Sequence, residues 1–299
     1  MRRERWWKLW TGVITLAVLA APWIAEPAAS RAGLEDWKVV MLPAPPFRHH
    51  GSVSPQATAI HRLTLKRIDA KPNRITDVNR WFEANGLALP THEVPNPFQN
   101  QPGNLPKFVP EKFNNQPLVK AIRCQEAVLL VYGADFSDGR YLIALDATSG
   151  EFLYGFDFLR YAYPPTFTGR DRDFVRQQLK WAWWENGVLY VSHAHNTYAR
   201  ASGGLNAYLT ALDTASGAML WRSQPLVSNA ANFELIGDTI IAGYGFTAEP
   251  DYLYLLDKKT GAVYERIKLK SGPEFIIPKG DHLYVRTYNT DYRFRVESR

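Results

Sequence analysis

The sequence predicts an all-β fold built from repeated four-stranded units, and three observations carry that expectation. Twenty Gly, twenty Pro and 13% aromatic residues in 299 positions favour many strands joined by turns over a helical bundle. Three ungapped segments repeat one another: Tyr141–Glu151 (YLIALDATSGE), Tyr208–Ala218 (YLTALDTASGA) and Tyr252–Ala262 (YLYLLDKKTGA). A polar pair and an apolar strand precede each copy: Gln125-Glu126 before AVLLVYGAD, Asn186-Gly187 before VLYVSHAH, and Gly237-Asp238 before TIIAGYG. Hydrophobic residues at 46% and charged residues at 21% lie near globular averages, which excludes a chain disordered throughout or one that spans a membrane many times.

Arg2, Arg3, Arg5 and Lys8 precede an apolar run of about fifteen residues, Thr11 to Ala25, and the small-residue triplets Ala28-Ala29-Ser30 and Ser30-Arg31-Ala32 follow it. A spanning helix needs about twenty apolar residues, a length reached here only if Trp6, Trp7 and Trp10 extend the run as interfacial anchors. Residues 1–32 therefore read as a signal peptide or an uncleaved N-terminal membrane anchor. Any membrane contact is confined to them, and the expected location is periplasmic or extracellular, or held at the inner membrane. This segment carries five Lys/Arg against two acids, about half of the chain's formal charge of +6. The remainder has no concentrated basic stripe, so nucleic-acid binding is not expected. The single cysteine, Cys124, excludes an internal disulfide, a four-Cys zinc site and a c-type haem attachment. Within the strand-like AIRCQ it reads as a small buried hydrophobe.

Residues 33–117 form a Pro-rich extension. His49-His50 lies in its approach segment and is expected to be solvated. The stretch Ala59–Ile68 (AIHRLTLKRI) alternates in part and is a candidate strand to close the fold. Thr76–Gly86 reads as a short helix, capped by Thr76 and stopped by Gly86. From Pro90 to Pro117 seven prolines preclude regular structure, which leaves extended packing over the surface or a flexible linker.

The repeats of residues 118–299 follow. In each, an Asp (Asp146, Asp213, Asp257) ends a strand and can accept hydrogen bonds from amides two and three residues on, building an Asx-type turn. The Gly at position five (Gly150, Gly217, Gly261) then takes the left-handed conformation and the chain returns antiparallel. That backbone duty accounts for the carboxylates without a catalytic role. Asp213 and Asp257 stand 44 residues apart, Asp146 and Asp213 stand 67 apart, and the excess marks an insertion of about 23 residues. In the third copy the predicted strands are Asn232–Ile236, Thr239–Tyr244, Tyr252–Leu256 and Ala262–Leu269. A four-stranded unit of 40 to 45 residues is the length of a β-propeller blade. Residues 118–299 hold about four recognisable blades, and the earlier region either completes a short propeller or hides further, diverged blades. The last, Gly280-Asp281-HLYVRTY followed by Tyr292-RFRVE, lacks an outer strand.

These segments resemble the quinoprotein-type propeller repeat, Ala-x-Asp-x-x-Thr-Gly-x-x-x-Trp, of pyrroloquinoline-quinone (PQQ) alcohol dehydrogenases and many non-enzymatic relatives. Ala211, Asp213, Ser216, Gly217 and Trp221 match almost fully. Ala144, Asp146, Ser149 and Gly150 match, with Tyr154 in the Trp place. Leu255, Asp257, Thr260 and Gly261 match loosely, with Glu265 there. The resemblance implies that Trp221 docks one blade on the next. The dehydrogenases of the family use adjacent cysteines stacked on the cofactor, and calcium held by Glu, Asn and Asp beside a catalytic Asp. One cysteine and no assignable calcium set place this chain with the non-enzymatic branch, and no cofactor is expected. PQQ with calcium enters only with an enzymatic alternative.

His193 and His195 are the sharpest candidate pair, since i and i+2 on a strand share a face. Metal sites need three or four ligands, no third stands at a convincing spacing, and no metal is expected. The insertion Arg160–Lys180 interleaves Tyr161, Tyr163 and Phe167 with Arg170 and other arginines, and Trp183 and Trp184 follow it. Its Phe174, Val175 and Leu179 suggest a short amphipathic helix. Tyr161, Tyr163, Arg170, Trp183 and Trp184 are either ligand-binding residues or aromatics that pin the insertion down. Gly203-Gly204 lacks the strand–helix setting of a phosphate loop. The function expected is an exported, non-catalytic binding or scaffold propeller of the bacterial envelope, its partner an envelope protein or a saccharide. The alternative is a diverged quinoprotein-like oxidoreductase or small-ligand sensor.

Overall fold

The Tyr-Leu-x-x-Leu-Asp segments are all strands, and each lies third in an antiparallel four-stranded meander. The structure, a computed structural model, describes residues 34–47, 62–92, 105–134, 138–164, 167 and 172–298. Residues 1–32, His49-His50 and Arg170 lie outside the described residues, and residues 32–299 make up one unit. The N-terminal part supplies β1 (Val39–Met41), β2 (Leu63–Pro72), α1 (Val78–Asn85), β3 (Thr91–His92) and β4 (Lys112–Phe113). Blade 1 is β5 (Gln116–Cys124), β6 (Ala127–Tyr132), β7 (Tyr141–Asp146) and β8 (Phe152–Asp157). Blade 2 is β9 (Gln178–Glu185), β10 (Val188–Ala194), β11 (Tyr208–Asp213) and β12 (Met219–Arg222). Blade 3 is β13 (Glu234–Ile236), β14 (Thr239–Tyr244), β15 (Tyr252–Asp257) and β16 (Val263–Lys268). Blade 4 takes β17 (Pro273–Lys279), β18 (His282–Thr287) and β19 (Thr290–Ser298) from the C-terminus, and its outer strand is β2. The protein is a β-propeller of four-stranded blades.

The turns form as their side chains dictate. Asp257 Oδ1 accepts from the amides of Lys259 (3.0 Å) and Thr260 (2.9 Å) and from the Thr260 hydroxyl (3.0 Å). Asp146 and Asp213 do the same with Ser149 and Ser216. The glycines that follow have φ of 75°, 71° and 72°. Each of these turns is tied to the neighbouring first-to-second-strand turn, as by Thr214 N–H to Gly187 O (2.9 Å) and Lys258 N–H to Asp238 O (2.9 Å). All of them therefore share one end of the propeller, the turn face. The insertions 158–177 and 195–207 emerge at the other end, the loop face.

Middle strands such as β6 and β14 are buried along their whole length: β14 has a blade on each side, and β6 has blade 2 on one side and N-terminal residues on the other. Trp221 docks blade 2 on blade 3: its indole donates to Lys258 O (3.1 Å), and a Cβ on Gly261 would fall 2.3 Å from the ring. Tyr154, in the equivalent place of blade 1, packs on Trp184 of blade 2. The outward face of blade 1 is covered by Trp37, Phe108 and Phe113, with Phe108 seated on Gly150 as Trp221 sits on Gly261. The outward face of blade 4 is covered by α1, whose Trp81 and Phe82 pack with Phe275, Ile277 and Tyr284.

Two local expectations are corrected. The N-cap of α1 is Asp77, whose Oδ1 accepts from Arg80 N–H (2.8 Å), rather than Thr76; Gly86 closes the helix at φ 58° as expected. The segment 172–180 is not an amphipathic helix. A single 3₁₀ turn, Arg172–Val175, gives way to β9 at Gln178, because Leu179 pairs across to His193 and is buried there while Phe174 stays 69% exposed.

Candidate functional site

The loop-face end of blade 2 is built from cross-strand neighbours. His193 lies opposite Tyr208, and Thr210 opposite Arg222, so His193, Tyr208 and Arg222 share one face of the sheet. That face meets blade 1. The His193 ring packs against Phe158 (4.8 Å between centroids) and Tyr161 (5.1 Å). The Arg222 guanidinium lies over Tyr208 (4.1 Å), Phe47 (5.2 Å) and Tyr161 (5.3 Å), and Tyr208 is fixed by its hydroxyl donating to Phe47 O (2.7 Å). Cation–π attraction offsets part of the desolvation of that charge. Its Nη1 donates to Thr210 Oγ1 at 3.4 Å, while Nε and Nη2 are shut off from solvent without a hydrogen-bond partner, as are both ring nitrogens of His193. Burial, and then the Arg222 charge, hold His193 neutral well below the ordinary histidine range. Burial brings Arg222 down to about 10.

Two half-buried lysines stand on the first strands of blades 1 and 2. Lys120 Nζ donates to Lys180 O (2.5 Å), and Lys180 Nζ donates to Asn196 Oδ1 (2.5 Å) and Gln178 Oε1 (3.1 Å). Burial lowers Lys120 to about 8, and burial together with the Lys120 charge lowers Lys180 to about 7. Among the described residues no carboxylate comes within ion-pair distance of Lys120, Lys180 or Arg222.

His195 does not join His193. The strand ends at Ala194, so the alternation that would align the two rings does not extend to His195. His195 instead braces the second insertion: its Nε2 meets Ser202 Oγ (2.8 Å), and its amide donates to Asn206 Oδ1 (2.8 Å). The Thr197 amide points at Nδ1 (3.4 Å), which leaves the ring hydrogen on Nε2, donating to Ser202 Oγ. That hydroxyl in turn donates to Ala199 O (3.1 Å), so the imidazole is no base for it. Tyr163 lies under the Arg172 guanidinium (4.2 Å). Trp183 and Trp184 lie at the far end of β9, Trp184 five residues, about 16 Å, beyond the Leu179 that faces His193. The structure thus brings His193 and Tyr161 together and leaves the two tryptophans in the blade interface. Arg222, Tyr208, Phe47, Lys120 and Lys180 were missed in the sequence. The one available signal was a lysine five or six residues ahead of the polar turn pairs Gln125-Glu126 and Asn186-Gly187.

Among the described residues no three His, Cys, Asp or Glu side chains come together as a metal would require. Among the described residues the carboxylate set that holds calcium beside PQQ in the dehydrogenases is not assembled either. Cys124 has no second cysteine, its Sγ lies 3.1 Å from the Trp184 carbonyl, and burial pushes the thiol up to about 11. No helix among the described residues is long and apolar enough to cross a membrane.

Fold and site define a class, a small β-propeller with its insertions gathered on one face. No family model matches the chain, and no curated protein does. Among solved structures it is similar to the computationally designed Ika4 protein, at 9% identity over 64% of this chain and 98% of that one, with a TM-score of 0.40. It is also similar to BamB from Moraxella catarrhalis (14% identity, 57% of this chain, 56% of that one, TM-score 0.31). A europium-containing methanol dehydrogenase gives 10% identity over 56% of this chain and 37% of that one, with a TM-score of 0.39. The chain thus spans about half of that BamB and just over a third of the dehydrogenase.

Proposed function

We propose that the protein is an exported, non-catalytic β-propeller that binds an acidic partner of the bacterial envelope, a protein or a saccharide, through its loop face. The observation that carries this reading is that Lys120 and Lys180, on the inner strands of blades 1 and 2 and bonded only to carbonyl and amide oxygens, lie together without a carboxylate among the described residues. An unpaired cation in a desolvated setting raises the free energy of the unliganded protein, and an anion that reaches it recovers that energy. On the turn face the Asp146 and Asp213 side chains bond their own turns, and the half-buried Lys258 pairs with Glu185 (2.7 Å). The pattern of residues 1–32 supports export. The single cysteine and the His195–Ser202 geometry support a binding role over chemistry.

The test is photocrosslinking in intact cells from Asn196 on the loop face and from Asp238 on the turn face. Adducts with envelope material from Asn196 alone, lost in the Lys120→Glu/Lys180→Glu double variant, are expected. Retention in the cytoplasm, or adducts insensitive to the charge reversal, overturns the proposal. A change in absorbance on incubation with PQQ and calcium overturns its non-catalytic half.

A further inference from the structure

The amines of Lys120 and Lys180 form a pair that no acid balances among the described residues. Lys120 lies on β5, the inner strand of blade 1, and Lys180 on β9, the inner strand of blade 2. Lys180 is the extra residue of a β-bulge, unmatched between Trp181, which lies opposite Ser192, and Leu179, which lies opposite His193. Its carbonyl accepts from Lys120 Nζ (2.5 Å) across the blade interface. Its own Nζ meets neutral oxygens only, Gln178 Oε1 (3.1 Å) and Asn196 Oδ1 (2.5 Å), and the bond to Asn196 lies open to solvent. The other titratable group that feels Lys180 is His195, which burial keeps neutral down to about 4. Burial, and then the Lys120 charge, brings the Lys180 amine down to about 7, so its nucleophilic neutral form is abundant near neutral pH.

We propose that Lys180 is a modification site for carbon dioxide, whose capture turns its amine into a carbamate beside the Lys120 ammonium. The neutral nitrogen attacks the carbon of CO2 and a C–N bond forms. One carbon–oxygen π pair moves onto oxygen, and the nitrogen gives up a proton to water. One amine and one CO2 thus yield one carbamate and one proton, with no oxidant or other reactant. The charge pattern selects this product. An acyl group would leave Lys180 neutral, and an imine would leave it cationic. A carbamate supplies the carboxylate that neither lysine has, and converts like-charge repulsion into an ion pair. The Asn196 and Gln178 amides, which offer oxygens to an ammonium, offer N–H groups to a carbamate once they turn over. CO2 is small and uncharged, so it reaches a half-buried amine without the cost of desolvating a charge. The carbamate also withdraws positive charge that an acidic partner would meet, so CO2 would regulate that encounter. This last consequence rests on the loop-face reading; the carbamate itself does not.

Carbon-13 NMR of the purified full-length protein in labelled bicarbonate at about pH 7.5 tests it. Trapping with triethyloxonium ion, which esterifies the carbamate, then locates the adduct by peptide mass spectrometry. A protein-bound carbamate resonance and an esterified adduct on Lys180 are expected, both lost in Lys180→Arg and both kept in Lys71→Arg, which alters an exposed lysine. Lys120→Met removes the cation that opposes the carbamate and should weaken CO2 binding about tenfold, the equivalent of one pKa unit. Lys120→Arg keeps that charge and should retain the adduct, and thermal melting of each variant confirms that it is folded. Absence of a protein-bound carbamate at saturating bicarbonate, persistence of the resonance in Lys180→Arg, or adducts as frequent on Lys71 as on Lys180 overturns the proposal. The sample holds no envelope partner, so failure here and failure of the loop-face crosslinking are separate results.

Discussion

His193 is neutral because charging it would bury a cation beside Arg222. Its folded pKa lies below the unfolded value near 6.5, so the unfolded chain takes up a proton that the folded chain refuses. The stability this represents is complete above pH ~6.5 and is lost as pH falls further. His195, lowered to about 4 chiefly by burial, acts in the same direction between about 6.5 and 4. His193→Phe keeps the ring packing on Phe158 and Tyr161 and removes two nitrogens that lack partners. Its melting temperature should therefore fall less than the parent's between about pH 7.5 and about pH 5. Equal falls would place the acid sensitivity elsewhere. Lys180 gives a second prediction. At about 7 its amine is largely deprotonated in mildly alkaline buffer, whereas an ordinary lysine near 10.4 is ~0.1% so. Brief acylation at about pH 7.5, read by peptide mass spectrometry, should mark Lys180 ahead of the exposed Lys71, even though Lys180 is the less accessible of the two. Of these groups the sequence disclosed His193 and Tyr161, which lie beside the insertion. Arg222 was hidden because its neighbours come from across the sheet and from Phe47, 175 positions earlier in the chain.

Each corner between the third and fourth strands combines a side-chain acceptor with a left-handed glycine, and at Gly261 a docking surface is added. Asp257→Ala removes three hydrogen bonds from a largely buried carboxylate and should cost about 2 kcal/mol in a denaturant titration. Gly261→Ala and Gly237→Ala place a Cβ on similar left-handed backbone, but nothing lies within 4 Å of the second, while the first would strike Trp221. Gly261→Ala should be clearly the more destabilising, and the difference isolates the seat of the tryptophan. Equal losses would mean that only backbone strain is at work. These corners were legible because acceptor, hydroxyl and glycine fall within five residues. Phe108 was not, since it serves the same role on Gly150 from outside any repeat. Nor was the strand at Leu179, whose local spacing is helical and whose partner His193 is distant in sequence.

The spacing of the repeats made about four blades recognisable without fixing their number, and the alternation of Ala59–Ile68 pointed to the strand that completes the last; the strand observed is Leu63–Pro72. How the two outward faces are sealed was not legible, because Trp37, Phe113 and α1 have no counterpart in the repeat. Deleting residues 1–72 should uncover Tyr292 and Phe294, strip Leu63 and Leu65 from the core, and replace a cooperative thermal transition by aggregation. A retained sharp transition would show that β2 is dispensable.

The strand β2 thus finds its place only beside β19, about 220 residues further along the chain. Until that partner has been made, Leu63 to Pro72 has no template in blade 4, which makes this a slow, non-local step. It also means that a variant lacking β19 is left with two orphaned edges, β18 and β2, and is marked for aggregation or proteolysis.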